Sequence, residues 1–358
     1  MRASLLSLRA AVTGALSATL LLTLASASTE GTPSRTITRA VPSEEQAEGV
    51  GARVRRSIGR PELRNHDPFL MLDEFLVDKN GGFPDHPHRG FETVTYMLEG
   101  HFQHEDFAGH SGIIGPGDVQ WMTAGRGIVH SEMPVFGDDE GGEKALTKAH
   151  GLQLWINLPK EHKMCDPQYQ ELLDTEIPRA EPQPGVVIKV IAGESHGVQS
   201  KVYTRTPTMF LDVTMEPHKV IEQRLPIDFT GFIYMLSGRT YLGDSDDSSH
   251  TTNNNEGQFV ASSTNTNINN QGQFVGEAYH TLTFSDSNNG LQEILRIETK
   301  DERARFVFIA GRPLNEPIVQ HGPFVMNTDE EIYETFFDFR NAVNGFERAN
   351  QWRSTAGN

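Results

Sequence analysis

His86-Pro87-His88 and, much later, His130-Ser131-Glu132 each set two ligand-type side chains two residues apart. On a β-strand, residues i and i+2 project from the same face, so each pair offers two donors aimed one way. If both strands face the inside of one barrel, three imidazoles and a carboxylate converge. Such a set leaves one or two coordination positions open for oxygen or substrate. Pro87 fixes the backbone between the two imidazoles, and Gly125 and Gly127 allow a close approach just before His130. Which carboxylate joins is left open by spacing: Glu92 shares the parity of His86 and His88, while Glu132 sits at strand spacing from His130. His101, His104 and His110 cluster with Glu105 and Asp106 on a polar stretch and read as a solvated loop.

These donors need strands to hold them. From about Thr36 to Leu158 the chain alternates short apolar runs with Gly, Pro and Asp, as in Phe91 to Leu98, Val119 to Met122 and Leu152 to Ile156. That pattern predicts an antiparallel sandwich or barrel. A polar, Pro-bearing stretch near Pro159 to Pro184 reads as a linker, and a second strand-rich block begins at Val186. Asp329 to Trp352 has the spacing of one or two helices. Tyr96-Met97-Leu98-Glu99-Gly100 returns 138 residues later as Tyr234-Met235-Leu236-Ser237-Gly238, which suggests two copies of one β-domain. At that offset His86 falls on Arg224 and His88 on Pro226, so only the first copy is expected to hold a metal.

Composition narrows the partners. With 31 basic and 48 acidic residues the formal charge is −17, which argues against direct nucleic-acid binding. The single cysteine, Cys165, can build neither a disulfide framework nor a thiolate cluster. Residues 1–28 carry Arg2 and Arg9, a diluted apolar stretch and Ala25-Ser26-Ala27, the pattern of a signal or transit peptide rather than a membrane anchor. Residues 244–273 are rich in Ser, Thr and Asn, and Asn254 to Val260 is echoed by Asn269 to Val275. This reads as a disordered insert expanded by local duplication.

The runs Phe83 to Thr93, Gln120 to Pro134 and Gln320 to Thr328, with Glu48 to Arg56 and Asn344 to Ala349, resemble the signature of the pirin family over about residues 37–358. The resemblance implies an all-β bicupin: two antiparallel cupin (jelly-roll) barrels at 36–165 and 184–345, with short C-terminal helices. It implies one iron (Fe²⁺) held by His86, His88, His130 and Glu132, other divalent transition metals being acceptable to the same donors. Glu92 then becomes a group that orients a histidine.

Two functions follow from the resemblance as expectations. One is quercetin 2,3-dioxygenase-type cleavage of a flavonol with O₂, in which Glu132 is the catalytic base. The other is a redox-sensing iron protein that docks, as a monomer, on a transcription regulator. The leader points to the secretory pathway or an organelle, whereas the family resemblance points to the nucleus or cytoplasm.

Overall fold

In a computed structural model of the chain, the described residues are 33–136, 148–244, 268–284, 290 and 293–356. The leader (1–28) and most of the insert lie outside them. The chain runs through β1 (Ile37–Pro42), β2 (Glu44–Glu48), β3 (Ala52–Ile58), β4 (Phe69–Asp78), β5 (Phe83–His88) and β6 (Phe91–Glu99). It continues with β7 (His101–Asp106), β8 (Ser111–Ile114), β9 (Val119–Thr123), β10 (Ile128–Val135), β11 (Lys148–Asn157), β12 (Gln168–Leu172) and β13 (Arg179–Ala180). The second half comprises β14 (Val186–Ala192), a hairpin β15–β16 (Glu194–Ser195, Val198–Gln199), β17 (Thr208–Met215), β18 (Val220–Arg224) and β19 (Thr230–Ser237). Then come β20 (Arg239–Leu242), β21 (Phe274–Glu277), β22 (His280–Phe284), β23 (Ile294–Glu298) and β24 (Ala304–Gly311). A hairpin β25–β26 (Val319–His321, Phe324–Met326) and α1 (Asp329–Asn341) complete it. One C-terminal α-helix forms where the sequence allowed one or two.

Each half is a seven-stranded sheet with a four-stranded one. The orders are β12-β9-β6-β11-β4-β3-β2 with β5-β10-β7-β8 in front, and β1-β22-β19-β24-β17-β14-β13 with β18-β23-β20-β21 behind. The two lists match strand for strand, so the halves are two copies of one antiparallel jelly-roll plan with open sheet edges. The repeated Tyr-Met-Leu-x-Gly lies on β6 and β19, which occupy equivalent places. Gly100 and Gly238 end it with φ of +74° and +70°; a Cβ there would lie 2.6 Å from the Lys148 carbonyl oxygen and 2.1 Å from that of Arg303. Both turns therefore require glycine.

Period-2 alternation sorts these strands into two faces. Leu72, Val94, Tyr96, Trp121, Leu152, Leu154 and Ile156 of the front sheet are buried against Ile191, Phe210, Phe232, Tyr234, Val307 and Ile309 of the rear one. Within this layer Tyr96 donates to Asp212 at 2.6 Å, and Tyr234 donates to Glu74 at 2.6 Å. Asp212 lies 138 residues after Glu74, so the two bonds are one contact repeated by the internal symmetry.

Sheet membership cuts across the sequence blocks in three places. β1 pairs with β22 of the rear sheet, β12 lies inside the predicted linker but pairs with β9 of the front sheet, and α1 packs on the front half beside Met122 and Ile128. β12 and β1 thereby each cap one edge of a seven-stranded sheet with a strand from outside its own block. Among the described residues no helix is long and apolar enough to cross a membrane.

Candidate metal centre

β5 and β10 are antiparallel neighbours in the front four-stranded sheet, with His86 directly opposite His130 and His88 opposite Ile128. The register brings His86, His88 and His130 together: one ring nitrogen from each lies within 4.8 Å of the others. His86 Nε2 is 3.0 Å from His130 Nε2. His86 Nδ1 faces the Pro84 carbonyl at 2.8 Å, an acceptor that calls for an N–H there and leaves the Nε2 lone pair free. Burial, reinforced by the neighbouring His86, holds His88 and His130 well below the ordinary histidine pKa. Both are therefore neutral imidazoles, the form that binds metals. Phe91 and Trp155 pack edge-on against His88 and fix its ring.

Glu132 lies on the same wall but outside this 4.8 Å set. It is buried, and it accepts from Thr95 Oγ1 at 2.7 Å and from Gln153 Nε2 at 3.1 Å. These partners are neutral donors, so its charge faces the cavity uncompensated by any cationic partner among its hydrogen bonds. Sequence reasoning missed Thr95 and Gln153. The available signal was polarity between core positions: Gln153 sits between Leu152 and Leu154, and Thr95 between Val94 and Tyr96.

Glu92 does not orient a histidine. Arg89-Gly90 turns the chain between β5 and β6, with Gly90 at φ +89°, so parity is not carried from His88 to Glu92. Its side chain accepts from Thr123 Oγ1 at 2.7 Å on the face shared with Val94 and Trp121. Burial raises its pKa to about 7. A carboxyl whose pKa is raised on folding binds more protons when folded, so its contribution falls as pH rises from its unfolded value through about 7. Glu92→Gln should remove this loss, raising stability at pH 7.5 relative to pH 5 by on the order of 2 kcal/mol, read from urea midpoints at both pH values.

His86, His88 and Glu132 line one cavity of about 1080 Å³ together with Met71, Asp73 and Trp155, and His130 stands beside it, its Nε2 3.0 Å from that of His86. In the rear half the sheet register puts Gln223, Leu225, Leu295 and Ile297 at the places of His86, His88, His130 and Glu132. This is one residue away from the simple 138-residue offset. All four are buried, and the three aliphatic ones belong to the rear core, so that half offers no ligand set. Among the described residues the first half alone carries clustered imidazoles.

His104 is not solvated, whereas His110, in the turn after β7, is half-exposed. His104 lies on β7 opposite Glu132 of β10 and is 3% exposed, because the run is a strand with alternate residues turned inward.

The sequence matches the family models Pirin, over residues 51–156, and Pirin C-terminal cupin domain, over residues 210–345. Human pirin is 50% identical over 91% of this chain and 99% of its own length, and a pirin-like protein of Solanum lycopersicum is 50% identical over 89% and 96%. Among solved structures, a quercetin 2,3-dioxygenase from Acinetobacter baumannii superposes with a TM-score of 0.70 at 28% identity, covering 86% of this chain and 98% of that one. The chain belongs to the pirin family.

Proposed function

We propose that the front cavity is the site of a metal-dependent dioxygenase that opens flavonol-like substrates with O₂. The observation that carries this is the trio of convergent imidazoles at a large cavity, two of them, His88 and His130, buried and neutral, beside a buried carboxylate held only by neutral donors. A divalent transition metal fits such donors, iron being the family expectation. Bound by His86, His88 and His130, it would supply the Lewis acidity that eases ionisation of a substrate hydroxyl.

The chain's own residues do the rest. Pro84 and Trp155 hold the imidazoles in place, which keeps the metal site preorganised. Met71 and Trp155 give the aromatic substrate an apolar wall and exclude water from the reacting end. Glu132, aimed by Thr95 and Gln153, accepts the hydroxyl proton at its carboxylate. A swing of the same side chain away from Thr95 would make it the fourth ligand.

Similarity to the Acinetobacter baumannii quercetin 2,3-dioxygenase supports the substrate class. Glu132→Gln should lower O₂-dependent loss of flavonol absorbance by about 10²–10³-fold while the bound metal is retained. Turnover equal to wild type in the metal-loaded variant would defeat the role given to Glu132.

A further inference from the structure

A second cluster of donors lies one strand away from the three histidines. His104 on β7, His110 in the turn after it and Glu171 on β12 place three donor atoms within 4.8 Å of one another. Glu171 Oε1 is 2.7 Å from His104 Nε2 and 3.7 Å from His110 Nε2. From these residues we infer a second divalent-metal site, of the Zn²⁺ type, with two imidazole nitrogens and one carboxylate oxygen as ligands.

Four features mark it as built rather than accidental. The imidazoles of His104 and His110 stack at 5.2 Å and 21°, and Tyr169 stacks on His110 at 4.0 Å and 13°. The ring directions are therefore fixed before any ion arrives, which lowers the ordering cost of binding. His104 Nε2 is buried, and despite its short contact with Glu171 it has no acceptor aligned with a ring N–H, which leaves it directed at the space between the donors. Gly112 keeps that space clear: a Cβ there would come within 2.6 Å of His104 Nε2 and 3.3 Å of Glu171 Oε2. Gln120 Nε2 donates to Glu171 Oε1 at 3.1 Å and steadies the carboxylate.

The site also has an entrance. The His110 and Glu171 side chains are 36% and 33% exposed, so an ion can reach them from solvent. Donors sharing a tetrahedral zinc-type ion each lie about 2.0–2.2 Å from it and so about 3.3–3.5 Å apart, and Glu171 must therefore withdraw from His104 by roughly 0.6–0.8 Å. Its place on an edge strand permits that. Two imidazoles and one carboxylate leave a fourth position for water, and the net charge of −17 favours cation capture.

The test uses the full chain, stripped with EDTA and titrated with Co²⁺, read by elemental analysis and visible d–d absorption. Wild type should take up two equivalents and His88→Ala one. His88→Ala/His110→Ala should take up none, and His88→Ala/Glu171→Gln, which keeps the shape of the edge strand, should bind at least about 10-fold more weakly. If His88→Ala binds no Co²⁺, or keeps its equivalent after His110→Ala, the second site does not exist. If wild type binds a single equivalent that His110→Ala removes and His88→Ala does not, this site stands and the dioxygenase reading loses its metal.

Discussion

His88→Ala should strip the front cavity of its metal and reduce flavonol turnover to the level of the metal-free chain. His88 is 3% exposed, and its pKa is driven well below that of free histidine by burial and the nearby His86. It is therefore a neutral donor with no competing proton near neutral pH. Removing one of three convergent imidazoles leaves His86 and His130, which face each other at 3.0 Å and can satisfy one another with a single shared proton. The expected result is a loss of metal affinity of at least about 100-fold, above what loss of a supporting group outside the ligand set costs. Elemental analysis of wild type and variant purified side by side checks it. Because the mutation also opens space beside Phe91 and Trp155, a His88→Gln control should fold with less disturbance and still lose the metal.

Asp338→Ala should produce the largest loss of stability. Arg89, the residue after His88, is 1% exposed, and its guanidinium is shared by five partners drawn from distant parts of the chain. It donates to the Arg126 carbonyl at 2.6 Å, to Thr335 at 3.3 Å, to Asp338 at 2.9 Å and to the Asn344 carbonyl at 2.7 Å, with the Phe346 ring 4.6 Å away. Asp338 is the carboxylate of this set, and α1 carries it to the spot. Thr328 and Glu331 form the box that starts α1, and Ala342 ends it in the left-handed region. Without Asp338 the buried guanidinium loses its hydrogen-bonded counter-charge and keeps only the more distant Glu347 and Glu334, which costs about 3–5 kcal/mol. Urea unfolding followed by limited proteolysis of the C-terminal segment measures it. Asp338→Asn, which keeps an acceptor, should cost less, whereas a change under about 1 kcal/mol for the alanine variant would show that α1 is not fastened through Arg89.

Much of this arrangement was legible in the residues. The alternation around Leu152 to Ile156 and the Gly-framed turns mark strands because side-chain parity is a local property. The Tyr-Met-Leu-x-Gly echo marks equivalent strands because the same turn, with the same positive φ, recurs in each half. His86, His88 and His130 could be paired because i and i+2 spacing fixes their faces. What local pattern cannot carry is partnership between distant segments. β1 joins the rear sheet 238 or more residues away in sequence, as Pro42 opposite His280 shows, and nothing in Ile37–Pro42 specifies that partner. Glu171 lies in a stretch whose composition predicts a linker, so its approach to His104 is invisible in the local pattern, and the polar neighbours of His104 predict a loop where β7 forms. Glu92 is the opposite case: its parity with His86 and His88 does not survive Arg89-Gly90, where a turn resets it.

The central claim is that His86, His88 and His130 share one transition-metal ion in the front cavity. X-ray absorption spectroscopy of the His110→Ala chain, loaded with Fe²⁺ without oxygen, tests it most directly because the second cluster is then disabled. The account predicts imidazole scattering from about three nitrogens at about 2.1 Å from the metal, absent when His88→Ala is added. A spectrum with only oxygen neighbours, or one unchanged by His88→Ala, would contradict it.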